Sequence, residues 1–413
     1  MDLNNTKKSK SKLRRRSLLK HSLLLSSGII SQKIFAKQNL VASDRIIGKP
    51  SEDQAYGKVA DSSLFRSLLP GDNFNARSVS PLSQLIGAIT PSGLHFERHH
   101  SGIPQIEAKE HKLLIQGKSG QNKLLNMNEI RRYPQRTIPA FIECSGNSSD
   151  NWKNQAQEET VDVLHGMTSQ SFWTGVPMSY LLEAINAPRE QAWIIAEGKD
   201  AASLARSIPI EKCWKDGLIA YGQNGEPTRA EQGYPLRLIL PGWEGNCQIK
   251  WLSRLELSDR PAYSYQETAK YSDLYKDGKA RLFTFAMGTK SVITFPSGKM
   301  QLPDKGFYEI QGLAWSGLGS IKYVEISTDA GLTWLKASLE GPVLPHSHTR
   351  FFFPWQWDGK ETTILSRAVD SSGSRQPSRN ELISKLGDKP YYHCNCTQAW
   401  KIKTSGDVEN TYV

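Results

Sequence analysis

The chain has 413 residues, a length that is typical of two domains. Hydrophobic residues make up 38% and charged residues 23%, which is ordinary for a folded protein. Its net charge is +11, but residues 1–36 hold nine basic residues and one acidic residue, so eight of the eleven charges lie there. The excess of about +3 in the rest of the chain is too small to predict a nucleic-acid surface, and no run there reaches the roughly 18 apolar residues of a membrane span.

The first 36 residues have the pattern of a targeting segment. Basic residues lead to the string RRSLLK (15–20) and then to the short apolar stretch LLLSSGII. This order resembles a twin-arginine export signal with cleavage near Ala36, and the alternative is a basic disordered tail. Export by that route predicts a periplasmic protein. Residues 37–84 are polar, show little periodicity, and are expected to form an extension.

Residues 85–285 mix strand patterns with helical ones. KLLIQG, TIPAFIEC, AWIIAEG and PLRLILPG predict strands, and MSYLLEAIN predicts a helix. Because these elements do not alternate regularly, the pattern predicts an α+β domain rather than a doubly wound sheet. Only strand patterns follow, and IKYVEISTDAGLTW predicts a hairpin with its turn at 329–331. Residues 286–413 are therefore predicted to form an immunoglobulin-like β-sandwich.

The cysteines are few and odd in number, which argues against a disulfide framework. No C-x-x-C or C-x-x-C-H string occurs, so structural zinc lacks support and covalent c-type haem is excluded. Cys144 follows an apolar run in FIECSGNSSDNW, and its residue context alone leaves a buried hydrophobe, a nucleophile and a metal ligand open. Cys394 and Cys396 are too close in sequence for an unstrained disulfide. The remaining two cysteines are Cys213 and Cys247.

Two strings carry positive charge that requires an explanation. HFERHHSGIP contains Arg98, His99 and His100, and adjacent histidines on a strand face opposite sides, so the pair is not expected to bind one metal. EQGYPLRLILPGWEGNCQIKWL places Arg237 inside an apolar strand and Lys250 shortly after it. A positive charge inside such a run needs a partner, either an internal carboxylate or an anionic cofactor.

Taken in order, the strings resemble the sulfite oxidase family of molybdenum enzymes over residues 85–400. The resemblance implies a molybdopterin-binding catalytic domain at 85–285, followed by a sandwich domain at 286–413 that forms a homodimer. It also implies a cofactor of molybdenum and one pterin, with no haem in this chain. The supporting strings are HFERHHSGIP, FIECSGNSSDNW, FWTGVPMSYLL, LARSIPIEKCWKDGLIAYGQNGEPTRAEQGYPLRLILPG, QIKWLSRLEL, VEISTDAGLTW and RAVDSSGSRQP.

The same resemblance implies roles for individual residues. The Cys144 thiolate is expected to bind molybdenum, which suits a soft ligand. Arg98 matches an arginine beside the metal that attracts an anionic substrate, and Tyr271 matches a tyrosine near the oxo group. Gln232 stands where many members have histidine, although an amide still donates to phosphate. The residues expected to contact the pterin are Phe96, His99, His100, Asp200, Gln232, Arg237, Gln248 and Lys250.

The residues after Cys144 predict the branch of the family. Animal-type sulfite oxidases have arginines where this chain has Ser148 and Ser149, so we expect weaker attraction for sulfite and room for a larger substrate. The chain thus resembles the molybdenum subunits of sulfane dehydrogenases, which oxidise a persulfide on a carrier protein during thiosulfate oxidation and pass electrons to a c-type cytochrome. The alternatives are free sulfite oxidation, sulfoxide reduction on the same scaffold, or a non-enzymatic binding protein.

Overall fold

A computed structural model of the protein describes residues 77–387 and 391–413. The predicted export signal and most of the predicted polar extension lie before residue 77 and therefore outside the described residues. Within the two described ranges the chain forms five short α-helices and 23 strands. None of the helices in these ranges is long and apolar enough to cross a bilayer.

The elements are numbered in chain order. The helices are α1 (Met127–Ile130), α2 (Val161–His165), α3 (Met178–Glu183), α4 (Ile210–Asp216) and α5 (Arg379–Leu386), and a π-helical turn spans Gln266–Lys270. The earlier strands are β1 (Arg77–Ser78), β2 (Glu97–Arg98), β3 (Lys112–Gln116), β4 (Lys123–Asn126), β5 (Arg136–Glu143), β6 (Thr168–Pro177), β7 (Trp193–Gly198), β8 (Ala205–Pro209), β9 (Leu218–Gln223), β10 (Glu226–Pro227), β11 (Arg237–Ile239), β12 (Leu252–Ser258), β13 (Asp273–Leu274) and β14 (Ala280–Arg281). The later strands are β15 (Lys290–Phe295), β16 (Gly306–Trp315), β17 (Ile321–Ser327), β18 (Leu335–Lys336), β19 (Ser338–Leu339), β20 (Thr349–Trp357), β21 (Thr362–Asp370), β22 (Ala399–Ile402) and β23 (Val408–Thr411).

Two five-stranded sheets form the N-terminal domain. The first has the order β10-β9-β6-β5, with β11 also paired to β9, and is antiparallel throughout. The second has the order β4-β3-β12-β7-β8, and only its β3–β12 pair is parallel. One buried apolar core joins residues of both sheets with those of α3 and α4. This mixed arrangement confirms the predicted α+β class.

Two antiparallel sheets form the C-terminal domain. Their orders are β15-β16-β20-β19 and β18-β17-β21-β22-β23, and residues of both sheets share one core that includes Trp315, Phe351 and Trp400. The predicted hairpin is present, because β17 pairs antiparallel with β18. Ala330 and Gly331 in its turn have φ of 59° and 91°, the left-handed conformation that such turns use. The β-sandwich prediction is confirmed.

The two domains also share buried surface. Phe141 in β5 and Leu164 in α2 belong to the same apolar cluster as the sandwich residues Trp315 and Phe351. Full burial of a Phe or Leu side chain stabilises a fold by about 1.5–3 kcal/mol. Strand β5 is therefore anchored to the second domain at its C-terminal end, where Glu143 immediately precedes Cys144.

Candidate functional site

A cavity of about 710 Å³ opens beside the loop that follows β5. The structure brings to its wall every residue that the sequence predicted for the site, from stretches that are far apart in the chain. These eleven residues are Phe96, Arg98, His99, His100, Cys144, Asp200, Gln232, Arg237, Gln248, Lys250 and Tyr271. The other lining residues are His95, Ile142, Leu204, Gly245, Asn246 and Trp251. The individual roles of the eleven stay predictions.

Cys144 begins the loop after β5 and is the cysteine found among the described residues that line the cavity. Its backbone N–H donates to Met167 O at 3.0 Å, and its carbonyl accepts from the N–H of Asn147 at 2.9 Å, which closes a tight turn. The side chain is half-buried. Burial raises the pKa of the Cys144 thiol, while the charge of Arg98 opposes this rise. A thiolate here therefore requires further positive charge, such as a bound metal ion.

The other four cysteines do not contribute to the cavity. All are buried and free in the structure. Cys247 lies three residues before Lys250, but its thiol is directed towards Glu244 Oε1 at 3.6 Å rather than into the cavity. The Cys394 and Cys396 sulfur atoms are 3.6 Å apart, as unbonded thiols. Cys144 is thus the thiol positioned for chemistry in this cavity.

Arg237 and Lys250 place positive charge inside the protein. The Arg237 guanidinium donates to the carbonyls of Gln232 at 2.7 Å and Gln248 at 3.3 Å, and its Nε has no partner in the described part of the chain. Burial alone lowers the pKa of Arg237 to about 9. The carboxylate partner that was one alternative for Arg237 is not found among these contacts. Burial lowers the pKa of Lys250 to about 7, although Glu97 opposes the shift.

These charges give the cavity the character of an anion site. Among the described residues that line it, Arg98, Arg237 and Lys250 carry cationic groups and Asp200 carries a carboxylate, while Glu97 acts on Lys250 from behind the wall. Asp200 already accepts a hydrogen bond from the Leu204 N–H at 3.0 Å. A buried cation without a counter-ion is costly, and a phosphate group would offset that cost. The unpartnered Nε of Arg237 and this donor set therefore fit the phosphate of a molybdopterin.

The two adjacent histidines both line the cavity, but their rings have different partners. His99 is buried, with Nδ1 3.0 Å from Glu97 Oε1. His100 faces the cavity, and its Nε2 lies 2.9 Å from the Tyr271 hydroxyl. Burial, followed by the nearby charges of Arg98 and Lys250, lowers the pKa of His100 to about 3. His100 is therefore neutral at physiological pH and orients Tyr271 through a hydrogen bond.

Tyr271 is held rigidly at the end of the π-helical turn. Its side chain is buried, and burial together with Cys144 raises its pKa far above the usual value for tyrosine, so the hydroxyl stays protonated. The Arg206 guanidinium lies 5.5 Å from the centre of its ring, and the Tyr392 ring packs against it at 5.2 Å. A protonated hydroxyl in this position can donate a hydrogen bond to a group bound near Cys144.

The two glutamines are tied to the backbone. Nε2 of Gln232 donates to the carbonyl of Phe96 at 2.8 Å, and Nε2 of Gln248 donates to the carbonyl of Trp243 at 2.9 Å. Nε2 of Gln248 also donates to the carbonyl of Leu240 at 3.3 Å, so both of its hydrogens are used, whereas the amide nitrogen of Gln232 carries a second hydrogen that remains available as a donor. Their main effect in this structure is to hold the cavity wall and to orient Arg237.

Ser148 and Ser149, which the sequence singled out as replacing arginines, lie away from the cavity. Neither residue lines the cavity. Ser148 has φ of 66° and a buried side chain whose Oγ lies 2.6 Å from His165 Nδ1 and 2.6 Å from Lys290 Nζ. The left-handed backbone turns this side chain toward the junction of the domains. The structure therefore gives these serines no contact with the cavity, and the expectation that the absence of arginines here leaves room for a larger substrate stays a prediction.

Sequence reasoning missed the segment 391–396, which we call the strap. Tyr392 packs on Tyr271, and an added Cβ on Gly146 would meet the ring of Tyr391 at 3.5 Å, so the strap lies beside the Cys144 loop. The backbone N–H of His393 donates to the carbonyl of Ser145 at 2.8 Å. The string YYHCNC offers no local signal for this position, because the contact joins two distant parts of the chain.

A network of buried charges next to the cavity was also missed. Arg206 donates to Glu244 Oε1 at 3.0 Å, and Glu267 accepts from the hydroxyl of Ser207 at 3.2 Å. His393 joins this network, with Nε2 3.0 Å from Glu244 and Nδ1 2.9 Å from Asp273. The network connects β8, the π-helical turn and the strap around Tyr271, and it fixes this side of the cavity.

Two family models match adjacent parts of the chain. The oxidoreductase molybdopterin binding domain matches residues 100–266, and the Mo-co oxidoreductase dimerisation domain matches residues 281–398. Mitochondrial sulfite oxidase of Rattus norvegicus is 28% identical over 316 residues, which cover 70% of this chain and 57% of the rat protein. Nitrate reductase [NADH] 2 of Phaseolus vulgaris is 27% identical over 369 residues, covering 79% of this chain and 40% of the plant protein. This chain thus spans about half the length of these curated relatives.

A solved structure gives a fuller match. The sulfane dehydrogenase SoxCD from Paracoccus pantotrophus is 39% identical and superposes with a TM-score of 0.81. The match covers 90% of this chain and 95% of that chain, so both domains are included.

Proposed function

This chain belongs to the sulfite oxidase family of molybdopterin oxidoreductases, and on that premise we propose that it oxidises sulfane sulfur held on a carrier protein. The observation that supports this choice of substrate is the match to a sulfane dehydrogenase, which is 39% identical and extends over nearly the whole of both chains. Relatives that are named sulfite oxidases or nitrate reductases share 28% identity or less over part of their length.

The cavity residues fit a molybdenum cofactor with one pterin. Arg237 and Lys250, supported by Gln232, Gln248 and His100, would hold the pterin phosphate, and the Cys144 thiolate would bind the metal. When bound, the cofactor supplies a site that accepts two electrons as an oxygen atom from water is added to the substrate sulfur. The unpartnered Nε of Arg237 supports this assignment, because an anion there would satisfy a buried donor.

The chain's own side chains bind and orient the substrate. Arg98 lies on the cavity wall and would attract the negative charge of a persulfide or an oxidised sulfur group. The protonated hydroxyl of Tyr271, which His100 orients at 2.9 Å, would donate a hydrogen bond to an oxygen at the reacting centre. The rings of Tyr271 and Tyr392 pack together at 5.2 Å and would exclude water from one side of this centre.

The remaining partners follow from the same proposal. The sequence contains no C-x-x-C-H string, so electrons would leave to a separate c-type cytochrome. The C-terminal sandwich would pair with a second copy of the chain, in agreement with its match to a dimerisation domain. The string RRSLLK near the N-terminus supports twin-arginine export to the periplasm.

Oxidation of free sulfite is the second candidate. The argument against sulfite relied on Ser148 and Ser149, and these residues do not line the cavity. The positively charged residues on the cavity wall also suit a small dianion such as sulfite. The similarity to sulfite oxidase of Rattus norvegicus supports this alternative. The two candidates differ in the substrate that drives electron transfer.

A single assay separates them. The protein is purified with its c-type cytochrome, and haem reduction is followed after addition of a carrier-bound persulfide or of free sulfite. We expect kcat/KM for the carrier-bound persulfide to exceed that for sulfite by about tenfold or more. The same carrier with its cysteine blocked is the control and should give no reduction. Fast turnover on sulfite with none on the carrier would establish the second candidate instead.

A further inference from the structure

We propose that the buried ion pair between Glu143 and Lys290 positions the Cys144 loop, so that the second domain determines how the cysteine is presented to the cavity. Neither residue lines the cavity, and both act through the loop as positioning residues. The functional consequence rests on the proposed role of Cys144 as the metal ligand. The geometric part of the inference concerns this chain alone.

Glu143 is the last residue of β5 and is almost completely buried. Its Oε1 accepts hydrogen bonds from Lys290 Nζ at 3.0 Å and from Asn147 Nδ2 at 2.9 Å, and its Oε2 accepts from Trp315 Nε1 at 2.7 Å. The Glu143 carboxylate thus connects the Cys144 loop, through Asn147, with Lys290 and Trp315 of the second domain.

Lys290 begins β15 and is equally buried. Its Nζ also donates to Ser148 Oγ at 2.6 Å. Burial and the charge of Lys290 lower the pKa of His165 to about 3, so this histidine is neutral. His165 Nε2 then donates to Gln398 Oε1 at 2.9 Å, and its Nδ1 accepts from the Ser148 hydroxyl at 2.6 Å. The hydrogen bonds run in one consistent direction, from Lys290 through Ser148 and His165 to Gln398, so the second domain holds both ends of this chain.

The loop is therefore fixed on both sides of Cys144. Glu143 precedes the cysteine, and Asn147 and Ser148 follow it, and each of these side chains bonds to a buried group. Asn147 also donates to His165 O at 2.9 Å and accepts from the Met167 N–H at 3.2 Å. Well-packed apolar residues would stabilise this junction at least as well as a buried ion pair. The pair instead sets the geometry of the loop, as hydrogen bonds behind a metal ligand do.

The alkylation rate of Cys144 in the cofactor-free protein measures how firmly the loop holds this side chain. The other four cysteines are buried and should react much more slowly. Lys290→Met removes the ammonium group while keeping much of the side-chain volume. We expect alkylation of Cys144 to become about tenfold faster and the molybdenum content of the loaded protein to fall by roughly 10- to 100-fold. The Cys144→Ser variant shows whether the measured label is on Cys144.

Two further variants separate positioning from stability. Lys212→Met makes the same substitution at another buried lysine, which donates to the Pro241 carbonyl and pairs with Asp216, away from the Cys144 loop. The double variant Glu143→Gln/Lys290→Met removes both charges, so its thermal midpoint should recover relative to Lys290→Met. Its alkylation rate should stay fast, because the glutamine has one acceptor oxygen for the remaining donors, Asn147 and Trp315.

Wild-type alkylation rates in both the single and the double variant would overturn the inference. So would a Lys212→Met variant that accelerates alkylation as much as Lys290→Met for the same loss of thermal midpoint. If the proposed function is wrong, the result is different, because Cys144→Ser would then keep its molybdenum. The alkylation rates would still decide whether the ion pair positions the loop.

Discussion

At the scale of single residues, Cys144 combines an accessible thiol with a cavity wall that is rich in positive charge. We predict that Cys144→Ser lowers molybdenum content by about tenfold or more, because a hydroxyl is a harder and weaker ligand than a thiolate. Metal analysis of the purified protein measures this loss. The thermal midpoint of the cofactor-free protein should change by no more than a few degrees, since the side chain is only half-buried. A variant that retains stoichiometric metal would contradict the assignment.

Arg98 is predicted to act on the substrate rather than on the cofactor. Arg98→Ala should lower kcat/KM by roughly 10- to 100-fold through loss of a charged hydrogen bond, with molybdenum content unchanged. Steady-state kinetics and metal analysis of the same preparation test this. Arg254→Ala, which breaks a salt bridge with Glu197 on the second sheet, is the control and should leave both quantities unchanged. If Arg98→Ala loses metal in parallel with activity, Arg98 belongs with the pterin-binding residues.

Most of the site could be predicted from residue type and order, and the exceptions have physical causes. The motif around Cys144 placed the cysteine on the cavity wall, but it could not show the direction of the Ser148 side chain. That direction goes with a φ of 66°, and the side chain is held by hydrogen bonds with Lys290 and His165. The two partners lie in other elements, so no local pattern contains this information.

At the scale of elements, the strap depends on the charge of His393. Burial alone would lower the pKa of His393, but hydrogen bonds with Asp273 and Glu244 raise it to about 9, above the ordinary 6.5. The charged form of His393 therefore stabilises the folded protein fully below about pH 6.5, and this contribution is lost as the pH rises through about 9. Arg206 also pairs with Glu244, so the Glu244 carboxylate lies between the positive charges of Arg206 and His393.

We predict that wild-type protein exceeds His393→Gln in free energy of unfolding by about 3 kcal/mol at pH 6, and that this difference falls as the pH rises from about 6.5 and is almost gone above about pH 9. Denaturant titrations of both proteins across this range measure it. His111→Gln is the comparison, because burial lowers the pKa of His111 and its pH dependence has the opposite sign. A constant difference between wild type and His393→Gln would show that His393 is not charged in the strap.

The strands were more predictable than the contacts between elements. The alternating and apolar strings predicted β3, β5, β7 and β17 to within about one residue, because each strand contains buried apolar residues that stand out in the sequence. The position of the strap was not predictable, because it follows from long-range packing of Tyr392 on Tyr271 and of His393 on Glu244. Neither contact leaves a periodic pattern in the sequence.

At the scale of the whole molecule, the two domains form one cooperative unit. Phe141, Val161 and Leu164 of the first domain are buried in the sandwich core. We predict that a fragment containing residues 77–285 is unfolded or aggregates, because it exposes these side chains and leaves Glu143 without Lys290. Limited proteolysis and circular dichroism, with the chain 77–413 as the control, measure this. A protease-resistant fragment that binds molybdenum would contradict it.

The ion pair beneath the Cys144 loop also fixes an order of events during synthesis. Glu143 and Lys290 are 147 residues apart, and a ribosome adding about 5–20 residues per second needs roughly 7 to 30 seconds to cover that distance. Throughout that interval the nascent strand carries an unpaired carboxylate and an exposed phenylalanine. The loop reaches its final geometry only after β15 has emerged, so insertion of a cofactor has to wait for the second half of the chain.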